Sequence, residues 1–483
     1  MKNLKIAAAV AACLAASSAA FALDTAQTAQ IITAPGANDL VLTVAGASAA
    51  RNSVGLELSP LQADGVTANT NALCQSGTFN VFRTVNGSGG SGPDFRAYSC
   101  TLGTVAANTN LSNKNVVVFY RSEGGSAWGP LSLINGQLCS PASTTQCTAG
   151  GFSQIKRLSV SLGNCTTTPG NATNIFNSSS SVLTPGVFDC TVGAYDFETD
   201  GQGTAGLEEA TTELAVSDVE PNMFRFSANY PSSGKFKKLD AGLTAALNTV
   251  NTAAQRGFGQ VFGIVVNNSV ATQNLNTADL AAIFTRNVTS WDFVPNYTAT
   301  GTATGFNAAG AIKICRREPG SGTQVIAQAQ YLGQTCGGSL AFATQAGAPG
   351  SVVENTSSSQ LNSCVNAAGA IGISVLGSAP PNTHFVSING VAPARAAAAL
   401  GTYPFWNELT YTPRSGLGGL QSALATILQN RGRTATTMPN NASTVAIPGV
   451  VASNVPDLPL SGTAPVALGA KNKSTCAPLQ LTN

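Results

Sequence analysis

The sequence predicts an α/β fold, and two observations carry this prediction. Apolar runs rich in β-branched residues end in loops, and patterns with helical spacing lie between several of these runs. The predicted strands cover residues 40–44, 115–120, 213–216, 261–266 and 311–315. The predicted helices cover residues 241–255, 278–284 with Thr277 as the N-cap, and 323–332. Because continuous apolar runs are typical of strands buried on both faces, we expect a largely parallel sheet whose strand ends collect ligands.

The composition fits a globular protein of about two to four domains, at roughly 100–200 residues each. The chain has 483 residues, of which 43% are hydrophobic, so it can bury a sizeable core. Only 10% are charged and the formal net charge is +2, which argues against nucleic acid as a partner. The single histidine, His384, excludes a multi-His metal site and disfavours a Ser-His-Asp catalytic machine.

Residues 1–22 have the pattern of a secretory signal peptide. Lys2 and Lys5 supply the positive charge, residues 6–16 the apolar stretch, and residues 20–22 a small-x-small cleavage site. We therefore expect a mature chain that is periplasmic or secreted, with no membrane span after cleavage of the signal.

Two alternatives to cleavage remain open. An uncleaved signal would be a membrane anchor, although its apolar run is short and Ala-rich for a span of about 20 residues. Residues 10–13 resemble a lipoprotein box, which would anchor the protein at Cys13. The brief apolar run before Cys13 disfavours that anchor.

The cysteines indicate an oxidising compartment. The chain has 11 cysteines, and loss of Cys13 with the signal would leave ten, an even number. An exported chain of this kind is expected to form up to five disulfides, and spacing alone leaves their connectivity open. Cys139–Cys147 and Cys165–Cys190 are candidate local pairs. Zinc is disfavoured because no C-x-x-C spacing occurs.

Two regions depart from the α/β pattern. Residues 136–206 are rich in Ser, Thr, Asn and Gly and carry four cysteines, which predicts an insertion stapled by disulfides rather than a disordered linker. Residues 434–483 are rich in Thr, Pro and Asn, and we expect an irregular tail that wraps the surface.

The run I-C-R-R-E-P-G-S-G-T over residues 314–323 has the features of a site for a tetrahedral anion. It reads as a strand, a tight turn and the start of a helix. Its two glycines allow close backbone approach, Ser321 and Thr323 add hydroxyl donors, and the helix N-terminus adds N–H groups and positive charge. Arg317 can donate two hydrogen bonds to one oxyanion. The alternative is an ordinary Gly-Ser loop.

Three more loops that follow predicted strands contain candidate polar residues. They are residues 215–221 with Asp218, residues 124–129 with Ser126, and residues 45–49 with Ser48 and Ala49. Taken singly, they are typical of a capped strand end, a flexible turn and a strand-to-helix turn.

In this order and context the four segments resemble the phosphate-binding protein of the phosphate ABC transporter, a class II periplasmic substrate-binding protein. Residues 275–291, 368–374 and 388–411 resemble three further stretches of that family. The resemblance covers residues 40–129 and 213–428, so the insertion and the tail fall outside it.

The resemblance implies a two-lobe, Venus-flytrap type II fold with a disulfide-rich insertion. Lobe 1 would comprise residues 33–263 and 403–483, including the insertion 136–206, and lobe 2 residues 264–402. Inorganic phosphate would be clamped between the lobes for uptake or scavenging, with an ABC permease as a further partner. The resemblance implies no cofactor, no metal and no catalytic residue.

The phosphate ligands of the family map onto eight residues here: Ser48, Ala49, Ser126, Asp218, Arg317, Ser321, Gly322 and Thr323. By this mapping Arg317 is the charged donor, and Asp218 accepts the proton of hydrogen phosphate and so repels sulfate. The family often has Thr near Ala49, so one hydroxyl would be missing here.

Two other functions stay open at this stage. One is a secreted phosphatase on the same scaffold, against which stand the single histidine and the lack of a visible metal cluster. The other is a surface or matrix protein that retains the fold, which the low charge and the Thr/Asn-rich insertion favour.

Overall fold

The fold is described here from a computed structural model. It describes residues 23, 25–61, 68–84, 95–139, 146–161, 163–167, 186–193, 205–231, 236–344, 351–376, 379–399, 401–432, 444–445, 468–470, 474–476 and 480–482. The predicted signal peptide, residues 1–22, lies outside the described residues.

The chain alternates strands and helices through most of its described length. Its first half contributes the strands β1 (Asp39–Gly46), β2 (Asn80–Thr84), β3 (Phe95–Thr101), β4 (Asn115–Arg121), β5 (Gln154–Leu158), β6 (Cys165–Thr167), β7 (Gly186–Cys190), β8 (Leu207–Thr211) and β9 (Leu214–Ser217). Its second half contributes β10 (Gln255–Asn267), β11 (Asn274–Leu275), β12 (Pro295–Tyr297), β13 (Ala303–Phe306), β14 (Lys313–Arg317), β15 (Val352–Asn355), β16 (Ala370–Val375), β17 (Thr383–Ile388), β18 (Trp406–Pro413), β19 (Thr444–Val445), β20 (Leu468–Ala470) and β21 (Gln480–Thr482). The helices are α1 (Thr25–Thr33), α2 (Arg51–Leu58), α3 (Trp128–Leu133), α4 (Ala241–Ala253), α5 (Thr277–Phe284), α6 (Gly322–Ala327), α7 (Ser358–Val365), α8 (Arg395–Ala399) and α9 (Gly419–Gly432).

The main sheet runs in the order β15-β14-β16-β10-β18-β9-β1-β4-β3-β2-β7-β6. The long strand β10 joins its two halves. The beginning of β10 pairs with β18, and its end pairs with β16 and β17. One lobe contains the last seven strands of this order, from β9 to β6, and the other lobe contains the first three, β15, β14 and β16. Strands β10 and β18 cross between the two lobes. This confirms the expected two-lobe α/β fold, while the residue bounds given above for each lobe stay a prediction.

The expectation of a largely parallel sheet is wrong. The longer parallel groups are β9-β1-β4 in one lobe and β15-β14-β16 in the other, and β2-β7 and β11-β17 are further parallel pairs. The strands between the two longer groups are antiparallel, because β10 and β18 run in opposite directions and β18 also opposes β9. Apolar runs show that a strand is buried on both faces, and this burial does not depend on the direction of its neighbours.

The predicted strands are present as β1, β4, β9, β10 and β14, and the three predicted helices as α4, α5 and α6. Helix α6 continues in a π-helical turn, Gln328–Leu332. The N-cap of α5 differs from the prediction. Asn276, not Thr277, caps this helix, because its side chain accepts from the Asp279 N–H while the Asp279 carboxylate accepts from the Asn276 N–H. This reciprocal capping box satisfies two N–H groups at once.

All ten cysteines after residue 22 form disulfides, which confirms the expected oxidised state. The pairs are Cys74–Cys100, Cys139–Cys147, Cys165–Cys190, Cys315–Cys364 and Cys336–Cys476. The two candidate local pairs are thus both present, and both lie in the insertion 136–206. The insertion also extends the main sheet, because β7 pairs in parallel with β2 and carries β6 at the edge.

The tail is more ordered at several points than the sequence predicted. Strand β19 pairs with β10, and β20 pairs with β21 in a short antiparallel ladder. Thr475 is buried, with 7% of its surface exposed. Within the described part of the chain, no helix combines the length and apolarity needed to span a membrane.

Candidate functional site

The candidate residues lie at strand ends that face each other across the cleft between the lobes. Ser48 follows β1, Ser126 follows β4 and Asp218 follows β9. These three strands are parallel neighbours, so their carboxyl ends share one edge of the sheet. Arg317 ends β14 in the other lobe, and the Gly-rich turn that follows it leads into α6.

Asp218 and Ser126 form a buried pair on one side of the cleft. The Ser126 hydroxyl donates to Asp218 Oδ2 at 2.9 Å, and the Asp218 main-chain N–H donates back to Ser126 Oγ at 3.3 Å. Asp218 is 2% exposed, and its Oδ1 accepts no hydrogen bond of good geometry from the described residues. Burial raises the pKa of Asp218 to about 6, although the bonds from Ser126 and Thr323 and the charge of Arg317 favour the ionised form.

Arg317 is fixed by acceptors from both lobes. Its Nε donates to the Asn355 carbonyl at 3.0 Å, and its Nη2 donates to the Thr356 carbonyl at 2.8 Å. Its Nη1 donates to the hydroxyls of Ser48 at 3.2 Å and Ser358 at 3.1 Å. The guanidinium is therefore buried and oriented, with one amino group aimed at a set of small hydroxyls.

The neighbouring arginine faces away from the site, as the alternation of a strand requires. Arg316 donates from Nη2 to Glu354 Oε2 at 2.6 Å and from Nη1 to the Ala343 carbonyl at 3.0 Å. Arg316 therefore stabilises its own lobe and is not part of the candidate site.

The Gly-Ser turn packs directly against the first lobe. The Ala127 N–H donates to the Gly320 carbonyl at 2.9 Å across the cleft. A Cβ built on Gly322 would lie 2.5 Å from Ser126 Oγ and 2.7 Å from Asp218 Cβ, so only glycine fits. Gly320 has φ +98°, a left-handed conformation that also favours glycine. Ser321 and Thr323 are both buried, and the Ser321 side chain does not cap α6.

The structure thus brings Ser48, Ser126, Asp218, Arg317, Ser321, Gly322 and Thr323 to one closed cleft. Ala49 is different, because it is half-buried and packs at the edge of an apolar cluster. Its predicted role as an N–H donor stays a prediction.

The sequence analysis missed the loop after β15. Ser357 caps α7 by accepting from the Gln360 N–H, which leaves Ser358 to bond Arg317. Ser358 Oγ also lies 2.9 Å from Ser48 Oγ, which joins the two lobes. A signal was available, because β15 is parallel to β14 and its polar end, N-T-S-S-S, should lie beside the end of β14.

Two further residues hold the main chain of the loops that carry site residues. Asn407 on β18 donates from Nδ2 to the Asp218 carbonyl at 2.7 Å. Tyr120 donates its hydroxyl to the Ala47 carbonyl at 2.6 Å, which holds the loop that carries Ser48. Burial, reinforced by the Asp218 carboxylate, raises the pKa of Tyr120 well above its usual range, so the hydroxyl stays a donor.

The site combines one buried guanidinium, one carboxyl group whose pKa is raised to about 6, and several hydroxyl and N–H donors. Such a set suits an oxyanion that carries a proton, because the donors bind its bare oxygens and the carboxylate accepts its O–H. Among the described residues, no group of three or more His, Cys, Asp or Glu side chains could hold a metal ion.

A comparison with protein-family models matches residues 239–426 to the "PBP superfamily domain". The matched residues include Arg317 and the Gly-Ser turn, whereas Ser48, Ser126 and Asp218 lie before them in the chain. No curated protein matches the chain.

The chain is also similar to solved structures, three of which are phosphate-binding or phosphate-transport proteins. A phosphate-binding protein from Stenotrophomonas maltophilia is 16% identical, with 57% of this chain and 83% of that chain covered and a TM-score of 0.34. A putative phosphate ABC transporter substrate-binding protein with bound phosphate, from Clostridium perfringens, is 14% identical, with 51% and 83% covered and a TM-score of 0.31. An ABC-type phosphate transport receptor from Vibrio cholerae is 15% identical, with 46% and 74% covered and a TM-score of 0.29.

Proposed function

We propose that this protein binds inorganic phosphate in the cleft between its two lobes. The observation that carries the proposal is the convergence of Arg317, Asp218 and Ser126 in one buried site. A buried anion must recover the hydrogen bonds that it loses with water, and a charged donor contributes most of this recovery.

The Arg317 amino group donates to the hydroxyls of Ser48 and Ser358 in this structure, and it would donate to phosphate oxygens instead when phosphate is bound. The hydroxyls of Ser126, Ser321 and Thr323 and the N–H groups at the start of α6 would bind the remaining oxygens. The absence of a side chain at Gly322 brings these donors close to the first lobe.

Asp218 would select phosphate over sulfate. Hydrogen phosphate has an O–H group that can donate to a carboxylate, whereas sulfate at neutral pH has none and would meet an unpaired negative charge. With a pKa of about 6, Asp218 is ionised at pH 7.5 and can accept that proton.

The proposed lobes are residues 33–263 with 403–483, and residues 264–402. Their closure over phosphate would serve uptake or scavenging in the periplasm or outside the cell, with an ABC permease as the partner that receives the ion. The match to a PBP superfamily domain supports this role. We propose binding without catalysis.

Calorimetric titration of phosphate and sulfate into the mature protein tests the proposal. The protein is first unfolded in denaturant without reductant and refolded, which removes carried-over ligand and keeps the disulfides. We expect one phosphate per chain, and sulfate binding weaker by at least about tenfold, which corresponds to ~1.4 kcal/mol. Binding of neither anion would refute the proposal. Hydrolysis of a phosphate monoester by the same preparation would contradict its non-catalytic part.

A further inference from the structure

The C-terminal segment contributes a buried residue next to the candidate site. Thr475 donates its main-chain N–H to both carboxylate oxygens of Glu220, at 2.9 and 3.0 Å, and its hydroxyl to Glu220 Oε2 at 2.6 Å. Both residues are buried. Three hydrogen bonds to one buried carboxylate make this a specific contact, since charged acceptors form the stronger hydrogen bonds.

This contact leads to Asp218 by two routes. Glu220 stands two residues after Asp218 in the chain. Asn407 donates from Nδ2 to the Asp218 carbonyl at 2.7 Å and to Thr475 Oγ1 at 3.2 Å. Thr475 therefore helps to fix the main chain that carries Asp218, at the place where β9 and β18 lie side by side.

The next residue in the chain is bound to the opposite lobe. Cys476 forms a disulfide with Cys336, which follows the π-helical turn that continues α6. Helix α6 begins at Gly322, in the turn that packs on Ser126. Two consecutive residues of the tail thus hold the two sides of the cleft, Thr475 through Glu220 and Cys476 through Cys336.

We propose that residues 474–476 form a strap that holds the lobes in the closed arrangement and positions Asp218, so that it sets how long a bound phosphate stays in the cleft. This inference rests on the proposed function. Thr475 is a positioning residue, because it acts on the ligand site through Glu220 and Asn407. Opening of the cleft has to stretch the strap or pull Thr475 from a buried carboxylate.

The test compares strap variants with a matched disulfide variant. Cys336→Ser with Cys476→Ser removes the covalent end. Thr475→Ala removes the hydroxyl and its hydrogen bonds with Glu220 and Asn407, and Thr475→Ser keeps them. The control is Cys165→Ser with Cys190→Ser, which removes a disulfide between two edge strands of one lobe. Stopped-flow measurement gives the phosphate dissociation rate, and hydrogen exchange of the Ala127 amide, which bonds Gly320 across the cleft, reports opening without ligand.

We expect phosphate to dissociate at least about tenfold faster from the double cysteine variant and severalfold faster from Thr475→Ala, with faster exchange at Ala127 in both. Thr475→Ser and the control should match the wild type. Unchanged dissociation and exchange in folded strap variants would overturn the strap.

If the wild type binds no phosphate, the proposed function fails, and the exchange rate of the Ala127 amide alone tests the strap. Faster exchange in the strap variants then supports the strap, and unchanged exchange refutes it. If the double variant does not fold, Thr475→Ala and Thr475→Ser, which keep every disulfide, decide in the same way.

Discussion

Arg317 Nη1 lies 3.2 Å from the Ser48 hydroxyl and thereby joins the two lobes at the centre of the cleft. The other face of the guanidinium is held by main-chain carbonyls of Asn355 and Thr356, which no side-chain substitution removes. The orientation of Arg317 is therefore built into the end of β15. The hydroxyls at Nη1 are weaker acceptors than an oxyanion, so an anion can take their place.

The first prediction compares the two adjacent arginines. Arg317→Ala removes the charged donor from the cleft, and a charge-assisted hydrogen bond contributes ~1.5–3 kcal/mol. Calorimetry should show phosphate affinity reduced by at least about tenfold. Arg316→Ala is the matched control, because Arg316 bonds Glu354 and Ala343 within its own lobe, so the phosphate affinity should stay close to that of the wild type. Equal losses at both positions would contradict the assignment of Arg317 to the site.

The second prediction concerns the close approach of Gly322 to the first lobe. In Gly322→Ala the new Cβ would lie 2.5 Å from Ser126 Oγ, so the lobes could not close as they do here. Overpacking of this kind costs ~1–3 kcal/mol, and phosphate affinity should fall by about tenfold or more. The melting temperature should fall only moderately, because opening of the cleft relieves the clash but also breaks contacts across it, such as the Ala127–Gly320 hydrogen bond.

Gly418→Ala is the control for this change, since no atom lies within 4 Å of its added Cβ. A Gly322→Ala protein that binds phosphate as tightly as the wild type would show that ligand binding does not need this closed contact.

The sequence could predict the parts of the site that depend on local pattern. The orientation of Arg317 follows from the alternation of β14, and the role of Gly322 from a turn that leads into a helix. Ser358 could not be singled out in the same way, because Ser- and Thr-rich loops are frequent in this chain. Its place beside Arg317 depends on the pairing of β14 with β15, which is not a local property.

The fold likewise has features that the local sequence predicts and features that depend on distant parts of the chain. The continuous apolar run of β4 is buried along nearly its whole length, as expected. The directions of β10 and β18 were beyond the sequence pattern, because burial periodicity is the same in parallel and antiparallel neighbours. The burial of Thr475 could not be predicted from the sequence either, because its partner Glu220 is 255 residues away and the sequence around Thr475 has no periodicity.

The third prediction concerns Glu57, a buried carboxyl outside the site. Tyr411 donates its hydroxyl to Glu57 Oε1 at 2.9 Å, and Oε2 accepts no hydrogen bond among the described residues. Burial raises the pKa of Glu57 from 4.5 to about 8, although Arg431 and Tyr411 favour the charged form. Between these pH values the unfolded chain has lost the proton that the folded chain keeps, so the free energy of unfolding falls as pH rises.

The slope of this fall should approach ~1.4 kcal/mol per pH unit and level off above pH 8. Glu57→Gln keeps an oxygen acceptor for Tyr411 and cannot ionise. In guanidinium unfolding it should match the wild type near pH 5 and exceed it near pH 8.5. Glu209→Gln, at an exposed glutamate, is the control and should follow the wild type. Parallel pH profiles for wild type and Glu57→Gln would rule out the buried, protonated state.

The last prediction concerns the charge of Asp218 and anion selection. Because burial raises its pKa to about 6, the carboxyl group is ionised at pH 8 and largely protonated at pH 5. The ionised form repels sulfate, and the protonated form can donate a hydrogen bond to it. Sulfate affinity should therefore rise as pH falls, by up to about tenfold per pH unit above pH 6, and level off below it, because one proton is taken up with the anion.

Asp218→Asn mimics the protonated carboxyl at every pH and is the decisive variant for this role. Its amide keeps the shape of the side chain and can donate, so sulfate affinity should become independent of pH, and phosphate affinity should hold or weaken. A mismatched buried contact costs ~1–3 kcal/mol, so the phosphate-to-sulfate ratio at pH 8 should drop by roughly one to two decades. Titration of both anions into both proteins at fixed ionic strength measures this ratio. If the wild type binds both anions and the ratio is the same in the variant, Asp218 does not accept the proton of the ligand, and selectivity must come from the hydroxyl and N–H donors alone.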